Sequence, residues 1–123
     1  MPKKLLIADD DPISLHVITT YLREANYPFI TAEDGQKALE LLQQNPADYA
    51  AVIADRIMPK LHGLELLTKM KSNPQLKSLP MIMLTGEAEK AEMVEAIKAG
   101  VFDFLFKPVE KELLISILRR VFR

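Results

Sequence analysis

The sequence predicts an α/β fold: a five-stranded parallel sheet with helices on both faces. Two observations carry the prediction. Five short apolar runs recur along the chain, at Leu5–Ala8, Phe29–Ala32, Ala51–Ala54, Met81–Leu84 and Val101–Phe106. Each is too short for a helix, and several lack the alternation of a half-exposed strand, the pattern of strands covered on both sides. The segments between them show helical spacing, so strand and helix alternate five times, as right-handed crossovers require.

Each helical segment has its own signals. The first opens on Asp11-Pro12, a capping carboxylate followed by the residue best suited to the first helical position, and its apolar stripe is Leu15, Ile18 and Leu22. The second carries Ala38, Leu41 and Leu42 and ends near Asn45-Pro46; the third carries Leu64, Leu67 and Met70 and stops before Asn73-Pro74. In the fourth, Met93, Val94 and Ile97 precede Gly100, a natural C-terminal stop. The fifth places Leu113, Leu114, Ile117, Leu118 and Val121 on one side. This pattern leaves the strand order open.

At 123 residues the chain suits one domain. With 49% hydrophobic and 27% charged residues it has the composition of a folded globule, and a net charge of −1 gives no general attraction to nucleic acid or anionic membrane. The absence of cysteine removes disulfides, thiolate nucleophiles and zinc-thiolate sites together. Only four apolar residues follow Lys3-Lys4, too few for a secretory or membrane segment, so a cytoplasmic protein is expected.

Open α/β sheets bind ligands beyond the carboxyl ends of their strands. Asp9-Asp10 end the first run, Asp55 follows the third, Thr85-Gly86 the fourth and Lys107-Pro108 the fifth, while the second ends less tellingly in Glu33-Asp34-Gly35. Three carboxylates at one crevice, about −3 in all, need cations or retained protons. Lys107 supplies one positive charge. A hard divalent cation balances the rest, and Mg²⁺ binds through one or two carboxylates together with water and phosphate oxygens. A carboxylate can also act as a nucleophile and form an aspartyl phosphate.

The acidic pair Asp9-Asp10, the stretch Asp55-Arg56-Ile57-Met58-Pro59 with Gly63, the Thr85-Gly86 step and Lys107-Pro108 stand in an order that resembles the receiver domain of bacterial two-component response regulators, of the chemotaxis-regulator kind. The resemblance covers essentially the whole chain and implies a single receiver domain over residues 1–123 with a doubly wound, flavodoxin-like sheet in strand order 2-1-3-4-5. It implies that Asp55 accepts a phosphoryl group from the phosphohistidine of a sensor histidine kinase or phosphotransfer protein. Asp10 and Asp55 would bind Mg²⁺ (or Mn²⁺) directly, Asp9 mostly through water, and the Ile57 backbone carbonyl would add a ligand. Lys107 would pair with the phosphoryl oxygens, and the Thr85 hydroxyl would bond the phosphoryl group on its arrival. Phe104 holds the aromatic switch position, Ile57 and Glu87 flank the path of the hydrolytic water, and the Lys107-Pro108 bond is expected to be cis.

Together these roles imply a signalling switch that promotes only its own phosphorylation and dephosphorylation. Its output would leave through the fourth helix, fifth strand and fifth helix to a downstream effector or a covalently linked output domain, without direct contact with nucleic acid or membrane. Two features depart from the family pattern. Phe104 lacks the hydroxyl of the commoner tyrosine, and neither Phe102 nor Ser116 carries the charge found there in regulators that dimerise through salt bridges. On the fifth helix, Ile115 and Phe122 lie seven apart and form a candidate apolar strip.

The remaining polar residues have simpler roles. Asp11 reads as a helix cap, and His16 and His62 as surface or helix-start residues, since neither has a spaced second ligand. Alternation of Phe102, Phe104 and Phe106 reads first as core packing. A Mg²⁺-dependent hydrolase with an aspartate nucleophile fits less well: such enzymes space their two aspartates two residues apart after the first strand and need a capping domain. Four glycines forming neither G-x-G-x-x-G nor a P-loop argue against a nucleotide site.

Overall fold

A computed structural model describes residues 3–86 and 90–122. Glu87, the candidate residue for tuning the lifetime, lies outside them. The elements run β1 (Lys4–Ala8), α1 (Pro12–Glu24), β2 (Phe29–Ala32), α2 (Gly35–Gln44), β3 (Tyr49–Asp55), α3 (Gly63–Lys71), β4 (Met81–Thr85), α4 (Lys90–Ala99), β5 (Asp103–Phe106) and α5 (Lys111–Val121). All five strands are parallel, in the order β2-β1-β3-β4-β5. The register sets Leu5 against both Phe29 and Ala51, Val52 against Met81, and Met83 against Phe104.

Side chains alternate between the two faces of the sheet, and both faces are covered. Leu6, Ala8, Val52, Ala54, Met81 and Met83 pack against Ala38 and Leu42 of α2, Leu66, Leu67 and Met70 of α3, and Ala96 of α4. Leu5, Ile7, Ala51, Ile53, Ile82 and Leu84 pack on the other face against Ile18 and Leu22 of α1 and Leu114, Ile117 and Leu118 of α5. Double burial is why β1, β3 and β4 read as unbroken apolar runs. Full burial of one such leucine or isoleucine contributes about 1.5–3 kcal/mol, so the two cores outweigh any single surface interaction.

Helix ends follow the sequence signals. Asp11 caps α1, its Oδ1 accepting the Ile13 N–H at 3.0 Å, and Asp34 caps α2, accepting the Lys37 N–H at 2.7 Å. Gly100 adopts φ +99°, which ends α4 at little strain. His62 starts α3 and pairs with Glu65 at 2.8 Å, the helix-start role expected of it.

The structure corrects several expected packing positions in α4, β5 and α5. β5 is shorter than the apolar run, because Val101 and Phe102 precede it; the Phe102 N–H donates to Met81 O at 2.7 Å. Phe102 and Phe106 are exposed and only Phe104 packs inward, since β5 is an edge strand whose outer residues α4 and α5 leave uncovered. In α4 only Ala96 is fully buried, and Val94 and Ile97, expected in its core stripe, face outward. On α5, Leu113 is exposed, whereas Ile115 packs against the core. The ring of Phe122 stacks on Tyr27 with centroids 5.3 Å apart, so Ile115 and Phe122 form no common exposed strip.

Candidate functional site

The parallel order brings the ends of β1, β3, β4 and β5 together at one edge. β1 runs into Asp9, whose side chain is wholly buried, and Asp10, which is exposed; β3 ends in Asp55, buried. One carboxylate oxygen from each of the three lies within 4.8 Å of the others. Strand order explains the meeting, since β1 and β3 are neighbours at the point where the order reverses.

Lys107, just past β5, reaches into this cluster. Its Nζ lies 3.0 Å from Asp55 Oδ2 and 3.1 Å from Asp9 Oδ2. Burial works against the ammonium charge, but the hydrogen bonds and charges of Asp55 and Asp9 prevail and raise its pKa. The peptide bond that follows, Lys107-Pro108, is cis, as expected.

Asp9 is the costly member of the group. Burial, the largest cause, pushes its pKa from 3.8 to about 6, and the charge of Asp55 adds to the rise. The Asp11 N–H, donated to Asp9 Oδ1 at 3.0 Å, and Lys107 oppose it. With three acidic groups and one lysine, the site is short of positive charge. Clustered oxygen donors of this kind fit a hard divalent cation, which would offset the deficit. Asp11, by contrast, has its pKa lowered, first by the Ile13 N–H and then by the Ser14 hydroxyl, and serves as the cap.

Thr85, at the end of β4, is buried. With Asp55, Arg56, Ile57, Gly86 and Lys107 it lines a cleft of about 400 Å³, large enough for a phosphoryl group. Ile57 is exposed at the cleft, where its side chain can shield but cannot bond water. Phe104 is half-buried in β5, opposite Met83 on β4. Gly63 closes the other side: its N–H donates to Arg56 O at 2.9 Å, and a Cβ at this position would sit 2.5 Å from Asp55 O. Only glycine allows α3 to begin this close to the end of β3.

Residues 5–119 match the response regulator receiver domain family. The chain belongs to that family. It is similar to the chemotaxis protein CheY1 of Helicobacter pylori, 38% identical over 112 residues that span 90% of each chain. It is also similar to the two-component response regulator ORR5 of Oryza sativa subsp. japonica, at 32% identity over 97% of this chain and 88% of that one. Among solved structures, chemotaxis protein CheY4 of Vibrio cholerae superposes with a TM-score of 0.88 at 31% identity, covering 98% of this chain and 99% of the other. Receiver domains act as signalling switches, and they generally bind Mg²⁺ at an acidic pocket such as the one formed here by Asp9, Asp10 and Asp55. No helix among the described residues is long and apolar enough to cross a membrane.

Two ion pairs, one beside the site and one at the far end of β5, had no signal in the sequence. Arg56, next to Asp55, pairs with Glu92 on α4 at 2.8 Å. Asp103 on β5 pairs with Arg120 on α5, whose guanidinium also lies 5.3 Å from the centre of the Phe102 ring. Both link residues distant in sequence through long side chains, which no periodicity reports.

Proposed function

We propose that the chain is one receiver domain whose Asp55 accepts a phosphoryl group from a phosphohistidine on a sensor kinase or phosphotransfer protein. The observation that carries this reading is the ion pairing of Lys107 with both Asp55 and Asp9, beside a third carboxylate, where Lys107 and Asp55 also line a cleft large enough for a phosphoryl group. In the transfer, an Asp55 carboxylate oxygen forms a bond to phosphorus as the phosphorus–nitrogen bond of the phosphohistidine breaks, leaving the imidazole as product. Lys107 neutralises charge on the phosphoryl oxygens, and the Thr85 hydroxyl donates a hydrogen bond to one of them. Asp9, Asp10, Asp55 and the Ile57 carbonyl are the groups that would hold Mg²⁺. Bound there, the ion supplies positive charge to the phosphoryl group.

Conversion of the carboxylate (about −1) to an acyl phosphate (about −2) is the signal. It draws Thr85 inward, lets Phe104 change rotamer and alters the face made by α4, β5 and α5. Exposed Ile97, Phe102, Phe106 and Leu113 support an apolar contact there for an effector or output domain. Ile57 and Glu87 set the lifetime by shielding and orienting the hydrolytic water, and Glu87→Ala should lengthen it modestly.

Treatment with acetyl phosphate and Mg²⁺ should add one acid-stable, hydroxylamine-labile phosphoryl group to the protein and none to Asp55→Asn. Equal labelling of the variant would move the phosphoacceptor elsewhere.

A further inference from the structure

Resting on the phosphoacceptor role of Asp55, we propose that the Arg56–Glu92 ion pair is a latch that holds α4 in its unphosphorylated place and is loosened when the phosphoryl group arrives. The backbone of Arg56 is fixed on both sides: its N–H donates to Leu84 O at 2.8 Å and its carbonyl accepts the Gly63 N–H at 2.9 Å. Any response at this position therefore lies in the side chain. That side chain reaches from the end of β3 to the first turn of α4, where Nη1 meets Glu92 Oε2 at 2.8 Å. The two side chains are 24% and 41% exposed, so the pair is partly withdrawn from solvent and less screened than one on the open surface.

Among the described residues, the helix on the far side of this pair buries fewer side chains than its neighbours do. α3 buries Leu66, Leu67 and Met70 and α5 buries Leu114, Ile117 and Leu118, but α4 fully buries only Ala96. One ion pair is thus a larger share of what fixes α4 than it would be for its neighbours. Beside it is a partly open pocket of about 310 Å³ lined by Met58, Leu64, Met83 and Ala96 together with both members of the pair. A helix released from the latch has somewhere to move.

Arg56 also borders the cleft that holds Asp55, Thr85 and Lys107. One residue therefore faces the site of the new charge and the moving element together. A phosphoryl group on Asp55 adds about one negative charge beside the guanidinium and competes with Glu92 for it. Unphosphorylated protein samples the released arrangement as a minor state, and weakening the pair enlarges that population.

The test compares the full chain with Glu92→Gln, which removes the charge at constant shape, Glu92→Lys, which sets like charges together, and Glu95→Gln. Glu95 lines the same pocket but has no ion-pair partner among the described residues. Without phosphodonor, the amide resonances of Thr85 and of residues 104–107 should move toward their beryllofluoride-bound positions in Glu92→Gln and further in Glu92→Lys. Labelling by acetyl phosphate should quicken in Glu92→Gln by about two- to fivefold, the range expected of a half-exposed ion pair. Glu95→Gln should match the parent chain in both respects. If both Glu92 variants keep the parent's resonances and rate, or move away from the beryllofluoride positions, while the parent still labels on Asp55, the latch is wrong and the phosphoacceptor reading stands. A parent chain that takes up no phosphoryl group overturns both.

Discussion

Asp9 shows what assembling this site costs the fold. Its folded pKa of about 6 lies above its ordinary 3.8, mainly because it is buried, so the native state holds its proton more tightly than the unfolded chain. The resulting stabilisation is complete below pH 3.8 and is lost as the pH rises through about 6. At neutral pH the metal-free protein keeps a buried carboxylate at a disadvantage of roughly 2 kcal/mol, after allowance for the coupling to Lys107 and Asp55. Asp9→Asn should therefore stabilise the metal-free protein near pH 7 by about 1–2 kcal/mol in urea unfolding and at the same time weaken Mg²⁺ binding. Destabilisation by this variant would mean that the Asp9 charge is well satisfied without metal. The same proton competes with the cation, so Mg²⁺ affinity should fall as the pH is lowered through about 6, a trend that a metal titration at several pH values reads directly.

At the scale of elements, the approach of α3 to β3 depends on Gly63. With Asp55 O 2.5 Å and Arg56 Cα 3.0 Å from where a Cβ would stand, Gly63→Ala must push backbone against backbone. The expected loss is about 1–3 kcal/mol in unfolding, with slower labelling of Asp55 because its strand end shifts. Parent-like stability and labelling would show that the junction has slack. Strands and caps were legible because their causes are local: apolar runs buried on both faces, Asp11 before Pro12, Gly100 after α4. The outward turn of Val94, Ile97, Phe102 and Phe106 was not legible. Apolar spacing shows that a face is greasy but not whether the same chain covers it, and α4 and the edge strand β5 leave theirs open.

Across the whole molecule, the site was legible because four strand ends must meet at one edge of a parallel sheet. Their order came only from the family resemblance, since an apolar run does not record its neighbours. Pairings such as Arg56 with Glu92 and Asp103 with Arg120 depend on that order and on long side chains, and so became visible only in three dimensions. A signal leaving by the proposed face should shift the amides of Thr85, α4, β5 and α5 when beryllofluoride binds. Shifts confined to Asp9, Asp10 and Asp55 would send the output through another surface. The central claim is that Asp55, among three adjacent carboxylates, carries the phosphoryl group. Borohydride reduction of the phosphorylated protein, followed by peptide sequencing, identifies the acylated residue as homoserine. Homoserine at position 55 alone, and only when Mg²⁺ and phosphodonor were both present, is the predicted result; homoserine at position 9 or 10, or at none of the three, would contradict it.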